Sequence, residues 1–384
     1  MAKKDTIIGL DIGCYSVKAA WVTQRSNACS VKRVEILKLP YDQSNREEVI
    51  TSWLAGHGIG KYPCVLGISG QQVMFQPLQM ADDDPRTMEQ AAEMEVLKFR
   101  DITAETMTHG LAPFTLKPED RRLLMAMARE SALNDVLSLA RNTRLDIVNL
   151  VPSPVALFNT FARMDNANND GRPCIYANIG HVTTDIAVGI KHSLIFARSF
   201  AGGGQMFTIA VARTGHLTET QAEDWKIDKG SVSDDNNNSS AIKATADVWI
   251  NEIQSCLAVY RNLFPNDETR PTQMIVSGGG SLLKGFPDYI AERLNINVRQ
   301  PLMLPGNPKT DRPALFPTAI GLALSEDNAA AQINLLPNTI KDELIFRRQK
   351  PFWIAAAITA ALILGISVAC GFWQIKRYKK ILNV

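Results

Sequence analysis

The sequence predicts an α/β fold of two related lobes followed by one transmembrane helix. Three observations predict it. Residues 352–373 run without a charge, between Arg347, Arg348 and Lys350 on one side and Lys376, Arg377, Lys379 and Lys380 on the other. A strand, a glycine turn and a second strand occur twice, over Thr6–Val22 and again over Cys174–Ile190. Apolar residues make up 46% of the 384 positions against 21% charged, enough to bury a sizeable core.

The uncharged run is long enough for one bilayer crossing, which takes roughly 20 apolar residues. Trp353 and Trp373 stand near its ends, where amphipathic rings favour the headgroup level. A buried core helix is the alternative, but such a helix shows a polar face. Met1–Leu10 lacks a signal-peptide core, which predicts a cytoplasmic N-terminal domain and a short outer tail. The net charge of +2 gives no pull toward nucleic acid. Cys14, Cys29, Cys64, Cys174, Cys256 and Cys370 form no CxxC pair and read as core residues in a reducing compartment.

In chain order, Thr6–Ile12 and Ser16–Val22 read as strands around Gly13. Thr87–Arg100 has helical spacing after Pro85, Leu123–Ala128 reads as a strand, and Ser131–Asn142 as a helix with Ser131 at its N-cap. Pro152 and Pro154 introduce a helix through Met164, and the Asn/Asp-rich stretch 165–172 is a loop between lobes. Cys174–Ile179 and Thr184–Ile190 repeat the hairpin around Gly180. Gln205–Arg213, Thr218–Lys226 and Ile242–Leu263 are helical, and the polar run Asp228–Ser240 reads as a mobile surface loop. Gln273–Ser277 is a strand, a helix follows from about Phe286, and Ala319–Leu324 is a short final helix. Ile333–Pro337 is an apolar patch stranded in a polar linker.

Four features make sense together as a nucleotide site. Gly13, Cys14, Tyr15 and Ser16 form a tight turn whose backbone N–H groups make an anion nest, with Lys18 as a point charge. Asp11 before it is placed to hold Mg²⁺ through water. Gly180 to Thr183 and on to Thr184 offers the same elements in the second hairpin. Gly202-Gly203-Gly204 and Gly278-Gly279-Gly280 allow close backbone approach. Singly, a glycine triplet is more often a turn than a ligand site.

The order of these segments resembles the actin/Hsp70/sugar-kinase superfamily, and more closely its FtsA/PilM branch. Gly9-Leu10-Asp11-Ile12-Gly13-Cys14-Tyr15-Ser16-Val17-Lys18 resembles the first phosphate loop. Asn178-Ile179-Gly180-His181-Val182-Thr183-Thr184-Asp185 resembles the second. Gly203-Gly204-Gln205-Met206-Phe207-Thr208 is similar to the segment that follows it, and Ile275-Val276-Ser277-Gly278-Gly279-Gly280-Ser281 to the adenosine motif. Ala222-Glu223-Asp224-Trp225-Lys226 resembles the Ala-Glu-x-x-Lys motif, which implies Glu223 and Lys226 beside the ribose and adenine. Ile333-Asn334-Leu335-Leu336-Pro337, then basic residues and a membrane helix, resembles the start of PilN, the partner of PilM.

The resemblance implies an actin-like fold of duplicated ribonuclease-H-like domains. Residues 1–86 open lobe 1 (1A), 87–149 form a 1C-type insertion, and 150–170 return to lobe 1. Lobe 2 is 171–325 (2A, with 2B about 213–262), and the final helix 317–325 has the option of packing back on lobe 1. A linker with the PilN-like motif 333–337 covers 326–350, the transmembrane helix 351–375, and a basic tail 376–384. The implied function is a membrane-tethered, ATP- and Mg²⁺-binding adaptor at the bacterial inner membrane, serving a type IV pilus or related type II secretion platform. Implied partners are platform proteins of PilN/PilO type and possible further copies of the chain. Asn178 stands where the family usually has Asp, so the expectation is ATP binding with weak or absent hydrolysis, and no catalytic residue is assigned. The motif is expected to dock, in the same chain or a neighbour, between lobe 1 and the insertion; a short helix toward the membrane is the alternative reading. Rival functions are an FtsA-like filament subunit and a small-molecule kinase of the same fold.

Overall fold

In the computed structural model the described residues are 6–25, 28–41, 45–81, 86–116, 121–164, 171–234, 236–266, 269–306, 308–326 and 331–382. They fall into two units, Met1–Leu335 and Leu336–Val384.

The first unit begins with the predicted hairpin, β1 (Thr6–Ile12) and β2 (Ser16–Arg25), continued by β3 (Ala28–Lys38). Helix α1 (Arg46–Gly56) leads to β4 (Pro63–Ile68), which runs parallel to β1. Strand β5 (Met74–Gln79), helix α2 (Met88–Thr103) and strands β6 (Met107–Phe114) and β7 (Arg122–Arg129) follow. Helix α3 (Glu130–Asn142) and strand β8 (Asp146–Pro152) return the chain to the main sheet, whose order is β3-β2-β1-β4-β8.

The second lobe repeats that plan. Strands β9 (Cys174–Ile179), β10 (Thr183–Ile190) and β11 (Ser193–Ala201) form the meander. After α5 (Gly204–Gly215), α6 (Glu219–Lys229) and α7 (Asn237–Leu263), strand β12 (Gln273–Ser277) joins parallel to β9. Helix α8 (Phe286–Leu294) and strand β13 (Asn297–Arg299) complete the order β11-β10-β9-β12-β13. The two sheets therefore share one topology, as the repeated hairpin predicts.

The smaller sheet, β5-β7-β6, is the inserted element. By strand pairing it starts at Met74, upstream of residue 87, because β5 lies antiparallel on β7. Strand β8 pairs with β4 and belongs to the main sheet. Helix α2 is set by a capping box, with the Thr87 hydroxyl accepting from Gln90 and the Gln90 amide oxygen accepting from Thr87. The expected N-cap Ser131 lies inside α3 instead, and its hydroxyl donates to Glu105 at 2.7 Å.

The polar run Asp228–Ser240 is more ordered than its composition predicts. Helix α6 continues to Lys229, Ser231 and Val232 are buried, and Asn236 caps an α7 that starts at Asn237. Residue 235 lies outside the described residues, as do 165–170 of the inter-lobe loop and 327–330 of the linker.

Helix α4 (Ser153–Met164) joins the lobes: Phe161 stacks on Tyr176 of β9 at 5.2 Å, and Phe158 meets the same ring edge-on at 6.0 Å. Helix α9 (Pro317–Leu324) follows the second lobe in sequence but packs on β1 and α4 of the first. It is buried along its whole length. Gly9 and Gly321 make this possible. A Cβ on Gly9 would stand 1.8 Å from the Ala319 carbonyl oxygen, and one on Gly321 1.6 Å from that of Ala156.

The second unit is the helix α10 (Asn338–Leu382), preceded by Leu336 and Pro337. The Pro337 carbonyl accepts from Ile340 and Lys341. Residues 338–350, expected as linker, are thus the first turns of the helix that carries the apolar run. Its stretch Asn338–Lys376 is long and apolar enough to cross a membrane.

Gly321→Ala should cost about 3 kcal/mol or more, since backbone rather than a side-chain tip would have to move. Gly56→Ala, where an added Cβ meets nothing within 4 Å, should change stability by no more than about 1 kcal/mol, and upward. Denaturant unfolding of the two purified variants checks the contrast.

Candidate functional site

The two hairpin turns have the same geometry. The Gly13 N–H donates to the Ser16 carbonyl at 3.0 Å, and the Gly180 N–H to the Thr183 carbonyl at 2.9 Å. The rungs below them also correspond. Asp11 lies opposite Lys18, and Asn178 opposite Asp185. In the first hairpin the pair is an ion pair, Lys18 Nζ to Asp11 Oδ2 at 3.1 Å, largely shielded from solvent. In the second it is an amide and an acid, with Asn178 Nδ2 3.5 Å from Asp185 Oδ2.

Asp185 closes the second of the resembling segments, and the sequence assigns it no role there. It is buried in a strand whose next three residues, Ile186, Ala187 and Val188, are wholly buried and apolar, and that setting was its one visible signal. Ser199 Oγ donates to its Oδ1 at 2.6 Å, and the backbone of Gly70 bonds it from the first lobe. Burial, with Asp11 adding repulsion, pushes the carboxyl up to about 6.

The glycine segments close around the second turn. Gly203 has no room for a Cβ, which would stand 2.6 Å from the Gly180 carbonyl oxygen and 2.7 Å from that of His181. The N–H groups of Gly204 and Gln205 donate to those two carbonyls at 2.8 and 2.7 Å. Gly278 has φ +84° and abuts the Asn178 and Ile179 side, with an added Cβ 2.6 Å from Asn178 Oδ1. Gly280 is equally confined against Ile179, whereas Gly279 is open, its nearest neighbour 4.0 Å away.

Glu223 and Lys226 meet on α6. Lys226 Nζ donates to Glu223 Oε2 at 2.7 Å, to Thr208 Oγ1 at 2.8 Å and to the Gly204 carbonyl at 2.9 Å. The Thr208 hydroxyl donates to the same Glu223 oxygen. All three ammonium protons are used, so the pair fastens α6 to the start of α5. Burial pushes the Lys226 ammonium below its ordinary value.

At the mouth, Tyr15 and His181 stack with ring centroids 4.8 Å apart. Burial pushes His181 below its ordinary value, so the imidazole is neutral at pH 7. A cavity of about 360 Å³ lies beside them, lined by Cys14, Tyr41, Arg46 and Gln205 among others. Asp11, Gly13 to Ser16, Lys18, Gly180, Thr183, Gly203, Gly204, Glu223, Lys226 and Gly278 to Gly280 thus gather on linked segments at one cleft between the sheets. Among the described residues no group of three His, Cys, Asp or Glu is placed to hold a metal ion.

A second site lies on the far edge of lobe 1. The Leu335 N–H donates to the Leu150 carbonyl at 2.8 Å, on β8, the outer strand of the main sheet. Ile333 and Leu335 are fully buried. Gly110 of β6 admits them: a Cβ there would stand 2.9 Å from Ile333 Cγ2 and 3.1 Å from the Asn334 nitrogen. Asn159 Nδ2 donates to the Ala331 carbonyl at 3.1 Å, and Asn149 Nδ2 to Glu326 Oε1 at 2.9 Å. Leu336 and Pro337 belong to the second unit.

The family model for type IV pilus assembly protein PilM matches residues 9–302. A solved PilM-PilN type IV pilus biogenesis complex is similar at 23% identity and TM-score 0.68, over 83% of this chain and 97% of that one. Ethanolamine utilization protein EutJ from Carboxydothermus hydrogenoformans is similar at 16% identity and TM-score 0.49, over 84% and 90%. MreB 5 of Spiroplasma citri bound to AMPPNP is similar at 14% and 0.45, over 89% and 98%. No curated protein matches the sequence. The fold is actin-like.

The buried acid yields a pH signature. The unfolded chain ionises Asp185 from about pH 4, while the folded chain keeps the proton to about pH 6. Stability is therefore full below that window, falls through it, and is level above it. Relative to Asp185→Asn, the wild type should lose up to ~3 kcal/mol between about pH 4 and pH 6.5. Denaturant unfolding at stepped pH measures this, and a difference that ignores pH contradicts it.

Proposed function

The chain belongs to the type IV pilus assembly protein PilM family, and from that premise we propose that it is a membrane-tethered adaptor of a pilus or related secretion platform. Its cleft binds Mg-ATP, and Ile333–Leu335 of its own Ile333–Pro337 motif occupy the edge of β8 that a separate partner would otherwise use.

The observation that carries this reading is the seating of Ile333–Leu335 on the β8 edge beside Gly110. The similar solved structure is a complex of PilM with PilN, and the segment resembles the N-terminal motif of PilN. An edge strand offers free backbone groups, and an extended segment that bonds one of them while burying alternate side chains is a recurrent docking mode. Each fully buried Ile or Leu side chain stabilises the seat by roughly 1.5–3 kcal/mol. Platform proteins of PilN/PilO type are the partners this reading implies. Helix α10 is the tether, with its apolar side chains from Phe352 to Trp373 largely exposed.

For the cleft, the fit to a nucleotide rests on confined glycines around one open one, Gly279, and on two turns of matching geometry. Lys18 would meet a phosphate, and Glu223 and Lys226 would flank the ribose and base. Asp11 would hold Mg²⁺ through water. The ion neutralises phosphate charge when bound. Asn178 neither carries an anionic charge nor accepts a proton from water, which supports binding with little or no turnover.

Titration of the purified chain with labelled ATP and Mg²⁺ should show saturable binding, with little phosphate release. Lys18→Ala should weaken it by about 1.5–3 kcal/mol, and Gly279→Val should abolish it. Absence of binding at millimolar ATP would sink the nucleotide reading.

Leu335→Asp and Gly110→Val should each free the segment, seen as rapid proteolysis near residue 333, and leave ATP affinity within about twofold. A segment that stays protected in both variants argues against the docked seat.

A further inference from the structure

The mouth of the cleft is bridged by side chains from both lobes. Tyr15, at the tip of the first turn, stacks on His181, at the tip of the second, with planes 24° apart. Tyr41, just beyond β3, stands edge-on to the same imidazole at 6.2 Å and 88°. Its hydroxyl donates to Glu219 Oε2 on α6 at 2.6 Å. Burial and that carboxylate push the phenol up to about 12, so it remains a donor. Lys38 Nζ lies 5.4 Å from the Tyr15 ring and 4.0 Å from Asp224 on α6. Three lobe 1 residues thus reach three on lobe 2, and α6 is also the helix that carries Glu223 and Lys226.

We infer that Tyr15, Tyr41 and Lys38 with His181, Glu219 and Asp224 form a clasp that holds the cleft shut and must part before a nucleotide enters. Rings stacked at 4.8 Å are in van der Waals contact, so nothing fits between the two turn tips. The N–H groups that would receive phosphates lie on those same turns. With the rings stacked, the cavity beside them is about 360 Å³, at the low end for a small-molecule site. These contacts join the lobes in addition to the packing of α4 and α9. The clasp then acts on the rate of exchange, because it is broken in the open state whether the ligand is arriving or leaving. The gating part rests on the nucleotide reading above; the fastening of the lobes does not.

Hydrogen–deuterium exchange of the full chain without nucleotide reads the fastening directly. In Tyr15→Ser the amides of residues 13–16 and 180–183 should exchange roughly two- to tenfold faster, the factor that the loss of one aromatic pair implies. Tyr41→Phe, which keeps the ring and removes only the bond to Glu219, should give a smaller increase in the same segments. Stopped-flow mixing with a fluorescent ATP analogue should show association faster by a matching factor. Unchanged exchange and unchanged association in both variants overturn the clasp. Faster exchange with unchanged association overturns the gating role. Faster exchange with no analogue bound by any of the three proteins upholds the fastening and overturns the nucleotide reading instead.

Discussion

Two glycines allow a helix to be inserted where no side chain would fit, and much of the molecule follows from that. Helix α9 lies in backbone contact with β1 at Gly9 and with α4 at Gly321. Thr160 and Asn159 of α4 then bond it at both ends, Thr160 Oγ1 to the Pro317 carbonyl and Asn159 Nδ2 to Ser325 Oγ. The chain leaves the second lobe, crosses to the first and is locked there. That crossing closes the two-lobe body and delivers residues 331–335 to the outer edge of β8. A bulkier residue at either glycine would displace the helix, and with it the path to the docked segment.

The duplicated hairpins show how one scaffold carries two electrostatic arrangements. The same rung holds Asp11 with Lys18 in one lobe and Asn178 with Asp185 in the other. In the second hairpin the carboxyl therefore sits on β10 and the amide on β9. It is not free there: Ser199, Asn178 and Gly70 hold it, and Gly70 comes from the other lobe. Two cations on these segments are paired, Lys18 with Asp11 and Lys226 with Glu223.

Sequence carried the topology well where periodicity and turn chemistry agree. The strands Thr6–Ile12, Cys174–Ile179 and Gln273–Ser277 have the bounds their apolar runs predict. Thr87 and Thr218 announce their helices through capping boxes. Legibility failed where a distant contact overrides composition. Asp228–Ser240 looks unstructured by residue type, yet Val232 is buried and Asn236 starts a helix. Asp185 carries no assigned role in the sequence, and its burial beside Ser199 emerges only from the fold. Tyr15 and His181 stack from two turns far apart in the chain, and no local pattern encodes that pairing.

The seat of Ile333–Leu335 on β8 has a consequence for stoichiometry. Groove and segment are parts of one polypeptide, so their ratio is one to one at every level of synthesis, and dilution does not separate them. A two-chain assembly must match the output of two genes and loses complex as its components become scarce. Here the matching is covalent. Any outside molecule that uses the same edge has to displace a resident segment held at high effective concentration, so only a tight or very abundant competitor gains access to it.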